Sequence, residues 1–137
     1  MFTKYSVLWV AFIVISVNAQ ESTSLNPSQF IKIGKGSYYI ETVSRKNWFA
    51  AYESCRQMKA SLIAFESLEE WKLVNQYLRD MQIYRKYWTA GTDWAEQGKH
   101  VWFSNGQPLS LDIWRAGEPN NYNGDEHCDE AGPALAE

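Results

Sequence analysis

Three observations predict an α+β fold. Two amphipathic segments with helix-start signals occupy the first part of the chain, short aromatic runs with turn dipeptides follow, and a long acidic stretch rich in Asn and Gly comes last. At 137 residues the chain holds one domain at most, with room for a real but modest core. The net charge of −3 argues against nucleic acid or an anionic membrane as partner.

Residues 1–19 read as a secretory signal that is removed, which makes the protein secreted. Lys4 gives a positive start, Val7 to Val17 an apolar run, and Val17-Asn18-Ala19 a small-residue cleavage pattern. The run is shorter than the roughly 20 residues of a membrane span, so membrane insertion is not expected. Loss of this segment removes one lysine and no acid, leaving the remainder slightly more acidic. Residues 20–29 are a short polar leader, and 30–137 form the domain.

Phe30 to Thr42 has strand character, with Ile31 and Ile33 before and Tyr38 to Ile40 after a Gly34-Lys35-Gly36 turn. Trp48, Ala51, Tyr52, Cys55 and Met58 recur at three- and four-residue spacing, predicting a helix over 47–59 with Asn47 or Ser44 as N-cap. Ser67-Leu68-Glu69-Glu70 is a capping box, and Trp71, Val74, Tyr77 and Leu78 carry a second helix to about Asp80. Tyr87 to Gly91 and Val101 to Ser104 are strand candidates, the latter entering a tight turn at Asn105-Gly106. Gln107-Pro108-Leu109 is read as a turn, and 116–130 as a polar loop.

That loop carries the chemistry. Between Glu118 and Glu130 stand five acids (Glu118, Asp125, Glu126, Asp129, Glu130), three Asn and no Lys or Arg. Like charges at this density are either solvated or neutralised by a cation. Two carboxylates and an amide at Glu118, Asn120 and Glu126 are the hard oxygen donors that Ca²⁺ prefers. Cys55 and Cys128, in an oxidising compartment, are free to bridge each other across about seventy residues.

The order of these residues resembles the C-type lectin domain family, in its secreted single-domain insect form. The matching positions are Trp48 and Cys55, Glu70-Trp71, Trp88-Thr89-Ala90-Gly91, Trp102, Trp114, Glu118-Pro119-Asn120 and Glu126-His127-Cys128. The resemblance runs from about Phe30 to Cys128. It implies two helices packed on a small antiparallel sheet, with a long irregular loop that binds Ca²⁺ and sugar.

By that resemblance Glu118, Asn120 and Glu126 are both the metal ligands and the sugar-binding residues, and Pro119 is cis. The acceptor-then-donor order of Glu118 and Asn120 goes with mannose, fucose and glucose-type ligands, and galactose stays open. An auxiliary Ca²⁺ site would use Asp93, but Gln97, Asn121 and His127 stand where acids are expected, so one site is implied. The implied partners are glycans of glycoproteins, and homo-oligomers stay open.

The family pattern then continues with a strand, a Trp-Asn-Asp run and two cysteines, none of which follows Glu130 here. The resemblance therefore implies a shortened form with final strands missing and a weak Ca²⁺ site completed by water. Cys55 and Cys128 lose their usual disulfide partners and become free or mispaired thiols. Trp88 and Trp102 and a sheet edge become exposed. A metal-independent, lectin-like protein-binding module and a non-functional product are the alternatives. An enzyme is not expected, since no activated nucleophile, His dyad or catalytic metal spacing accompanies the two glutamates.

Overall fold

The computed structural model describes Phe12–Val14 and residues 29–133. The expected signal segment and leader fall outside the described residues, apart from Phe12–Val14 and Gln29.

Helix α1 (Trp48–Gln57) starts where Asn47 accepts a hydrogen bond from the Ala50 N–H at 2.9 Å. Its stripe buries Trp48, Ala51 and Cys55, while Tyr52 and Met58 are half-buried. Helix α2 (Leu68–Asp80) starts at Ser67, whose hydroxyl accepts from the Glu70 N–H at 3.1 Å. The return half of the capping box is displaced by one residue. The Glu70 carboxylate accepts from the Glu66 N–H at 2.8 Å and from the Tyr38 hydroxyl, also at 2.8 Å. One side chain thus caps α2 and ties it to the first hairpin.

Two four-stranded sheets flank the helices. The first has the order β2–β3–β1–β4, from β1 (Phe12–Val14), β2 (Ile31–Ile33), β3 (Gly36–Ile40) and β4 (Ser61–Leu62). In it β1 lies antiparallel between β3 and β4, pairing Val14 with Tyr38 and Ile13 with Leu62. The second has the order β7–β6–β5–β8, from β5 (Tyr87–Thr92), β6 (Val101–Trp102), β7 (Gln107–Pro108) and β8 (Cys128–Ala131). One core of Tyr38, Trp48, Leu62, Ile63, Phe65, Val74, Leu78 and Tyr87 joins sheets and helices. Strand β5 is locked from several sides. Ala90 N–H donates to Ile63 O at 2.7 Å, and the Trp48 indole N–H to Thr89 O at 2.9 Å.

Three expectations are corrected, and one element is new. Gln107–Pro108 is a strand and not a turn, because the tight turn ahead of it folds the chain back onto β6. The polar loop ends earlier than its composition suggests. Cys128–Ala131 is strand β8, since pairing with β5 overrides the poor strand propensity of Asp129 and Glu130. Trp102 is only 4% exposed, packed edge-on to Phe65 with ring centres 6.2 Å apart. Ser61–Leu62 adds a short strand that no alternation announces.

Tyr38→Phe, which removes only the hydroxyl that holds Glu70, should lower unfolding free energy by about 1–2 kcal/mol in urea melts. An unchanged midpoint would show that the bond is replaced by water at no cost.

Candidate functional site

The loop from Gly117 to His127 is shaped by backbone needs that its composition reflects. Gly117, Asn121, Asn123 and Gly124 all have positive φ, at 87°, 46°, 59° and 75°. Gly and Asn are the residues that enter this region at least cost. Two of the three Asn therefore set the path of the chain. Asn121 also accepts from the Glu126 N–H at 3.0 Å, while the Glu126 carboxylate accepts from the Tyr122 N–H at 2.9 Å. This reciprocal clasp closes the turn over Tyr122–Gly124 and fixes Glu126 at its base.

The Glu118–Pro119 bond is cis, as expected. Glu118 and Asn120 face each other: the Asn120 amide donates to Glu118 Oε1 at 2.9 Å and its backbone N–H to Oε2 at 3.0 Å. All three expected site residues are exposed, and all line one cavity of about 640 Å³. Among the described residues no group of three or more His, Cys, Asp or Glu is arranged to hold a metal. The donor chemistry of Glu118, Asn120 and Glu126 nevertheless fits a hard cation with water in its remaining positions.

Asp93, expected at an auxiliary cation position, is engaged with the protein itself. It is 3% exposed, accepts from the Gly98 N–H at 2.7 Å and pairs with His127 Nδ1 at 2.8 Å. His100 Nε2 lies 3.7 Å from its other oxygen. The same imidazole pairs through Nδ1 with both Asp129 oxygens, at 2.9 and 3.0 Å. A chain of Asp129, His100, Asp93 and His127 thus runs beneath the loop. His127, which stands where an acid was expected, lies tilted against Trp94 with ring centres 4.6 Å apart.

His100 and Asp129 were not legible in sequence. Asp129 reads only as one of the five acids of the loop, with no partner assigned. Burial raises the Asp129 carboxyl to about 6, although the charge and hydrogen bond of His100 act against the rise. For Asp93 burial pushes upward, but the Gly98 N–H and both histidines outweigh it and the net shift is downward.

Both cysteines are free, and neither bridges the other. Burial raises Cys55 to about 12 and Cys128 to about 11, with the Trp94 indole N–H donating to the Cys128 sulfur at 3.2 Å.

A raised carboxyl binds its proton more tightly folded than unfolded, so its contribution favours folding below the unfolded value and fades as pH rises to about 6. Urea melts of the wild type and Asp129→Asn should therefore diverge between pH 4 and pH 6, the wild type losing ground as pH rises. A constant difference across that window would show that Asp129 does not titrate there.

Residues 44–136 match the Lectin C-type domain. The chain is 36% identical over 105 residues to C-type lectin 37Da of Drosophila melanogaster, covering 77% of this chain and 56% of that protein. It is 34% identical over 108 residues to C-type lectin 37Db of the same fly, covering 79% and 69%. It therefore spans little more than half the length of the first relative. Among solved structures it is similar to the cow C-type carbohydrate-recognition domain of CD23, determined in the presence of a GlcNAc2Man3 oligosaccharide. That likeness has a TM-score of 0.64 at 28% identity and covers 76% of each chain. Neither this domain family nor this fold is enzymatic. Among the described residues no helix is long and apolar enough to cross a membrane.

Proposed function

Since the chain belongs to the C-type lectin domain family, we propose that it is a secreted, calcium-dependent carbohydrate-binding protein whose site is Glu118, Asn120 and Glu126. The observation that carries this reading is the facing pair of Glu118 and Asn120, an acceptor and a donor held 2.9 Å apart on an exposed rim. Two neighbouring sugar hydroxyls are matched to such a pair. Glu118 accepts the proton of one, and the Asn120 amide donates to the oxygen of the other. A Ca²⁺ ion held by Glu118, Asn120 and Glu126 would polarise those hydroxyls and strengthen both bonds.

The order of acceptor and donor favours mannose, fucose or glucose-type glycans over galactose. Secretion rests on the apolar run and small-residue pattern of residues 1–19. A second reading, a metal-independent protein-binding surface, is favoured by one feature. Phe49 and Phe103 are 60% and 53% exposed and lie edge-on to Trp48 in an aromatic group with Tyr52.

The protein should be retained on immobilised mannose in calcium and released by a chelator. The double change Glu118→Gln with Asn120→Asp, which exchanges acceptor and donor, should weaken mannose retention at least tenfold relative to galactose. Retention indifferent to chelator would defeat the calcium-dependent reading, and an unchanged sugar preference would defeat the assignment of these two residues.

A further inference from the structure

The cavity that Glu118, Asn120 and Glu126 line also holds three bases, Arg79, Lys86 and Arg115. Arg115 is tied to the rim through the backbone. The Glu118 N–H donates to Arg115 O at 3.0 Å, across a turn whose third residue is Gly117 at φ 87°. The Arg115 side chain then crosses to the end of β8, donating from Nη2 to Gly132 O at 3.3 Å. Gly132 in turn packs on Arg85 O and the Lys86 backbone so closely that no Cβ would fit. The guanidinium of Arg115 therefore lies between the sugar-binding rim and the start of β5.

Acids line the cavity too. Glu130 neutralises Lys86 at 2.9 Å, Asp129 is held by His100, and Asp112 stands on the same wall. Yet among the described residues no arginine takes part in an ion pair. Arg115 uses one of its five N–H donors on Gly132 O, and Arg79 uses one on Gln76 Oε1 at 2.9 Å. Both are exposed. A chain with a net charge of −3 thus presents two guanidinium groups without a carboxylate partner in the cavity of its acidic loop.

We propose that Arg115, with Arg79 adding positive charge, takes an anionic substituent of the glycan whose hydroxyls sit at Glu118 and Asn120. The substituent is a sulfate ester or a carboxylate. This rests on the carbohydrate-binding reading above and narrows its ligand class to acidic sugars. The planar fork of Arg115 matches two oxygens of either group, which a lysine would meet only as a point charge. Its bond to Gly132 O holds the fork before a ligand arrives, so less freedom is lost on binding. The rim carboxylates repel a free anion, and a cation among them would offset that repulsion. Sugar and charge are therefore read together.

Calorimetry on the full chain in calcium, at low ionic strength, should compare α-1,2-mannobiose with its 6,6′-disulfate and its 6,6′-dicarboxylate. At least one anionic form should bind about tenfold more tightly than the neutral one, the effect of one charge-assisted hydrogen bond. A gain confined to the disulfate identifies a sulfate ester as the group read, and one confined to the dicarboxylate identifies a sugar acid. Arg115→Gln should remove most of the gain. Lys99→Gln, at an exposed lysine paired with Glu96 and not lining the cavity, should leave it intact. Inorganic sulfate should compete with the favoured anionic form but not with neutral mannobiose in the wild type, which needs no variant to fold.

Equal affinity for all three disaccharides overturns the inference and leaves the carbohydrate-binding reading standing. A gain that Arg115→Gln and Lys99→Gln reduce alike overturns it too, because the attraction is then to overall charge. So does a gain that survives a chelator, since the anion is then held apart from the sugar site. Failure of all three to bind in calcium overturns the underlying reading together with this one.

Discussion

The contact between β5 and β8 is the constraint on which the site depends. Its ladder is irregular: Trp88 pairs with Glu130, and the next matched pair is Thr92 with Cys128. The gap is filled by side chains. The Thr89 hydroxyl donates to Asp129 O at 3.0 Å and accepts from the Gly91 N–H, while the Thr92 hydroxyl donates to His127 O at 2.6 Å. Gly91 lies directly against the Asp129 carboxylate, with no room for a Cβ. A glycine and two threonines thus let an acidic strand dock on an apolar one, and the loop that precedes β8 inherits its position from that docking.

The two His–Asp pairs extend the same principle beyond the strands. Asp93 immediately follows β5, and Asp129 lies within β8. His100 reaches both carboxylates from the segment before β6. Isolated, either buried carboxylate would be costly. Together with the imidazoles and the Gly98 N–H they satisfy one another, and the arrangement holds only in one relative placement of three segments. The base of the loop is therefore fixed by polar contacts, whereas the Glu118–Asn120 rim stays exposed and available.

Much of this was legible from residue order. Both helices declared themselves by spacing and by the caps at Asn47 and Ser67, because those signals are local. The Glu118–Asn120 pair and its cis proline were legible through resemblance. What escaped was non-local. β8 carries Asp129 and Glu130, which argue against a strand until Thr89, Thr92 and His100 are brought beside them. Asn121 and Asn123 read only as polar members of an acidic loop, yet their left-handed backbone explains their presence more directly. His100 gave no signal, since its partners lie 7 and 29 residues away.

The seating of Phe12–Val14 between β3 and β4 has a further consequence. Adjacent strands lie about 4.8 Å apart, so excision of a strand from the middle of a sheet leaves two edges about 10 Å from each other. Without β1 the four-stranded unit would divide into the β2–β3 hairpin and the two-residue β4, each with unpaired amides and carbonyls. Such edges recruit extended chains, so a chain with β1 seated and one lacking it would differ in their tendency to associate even with an identical loop.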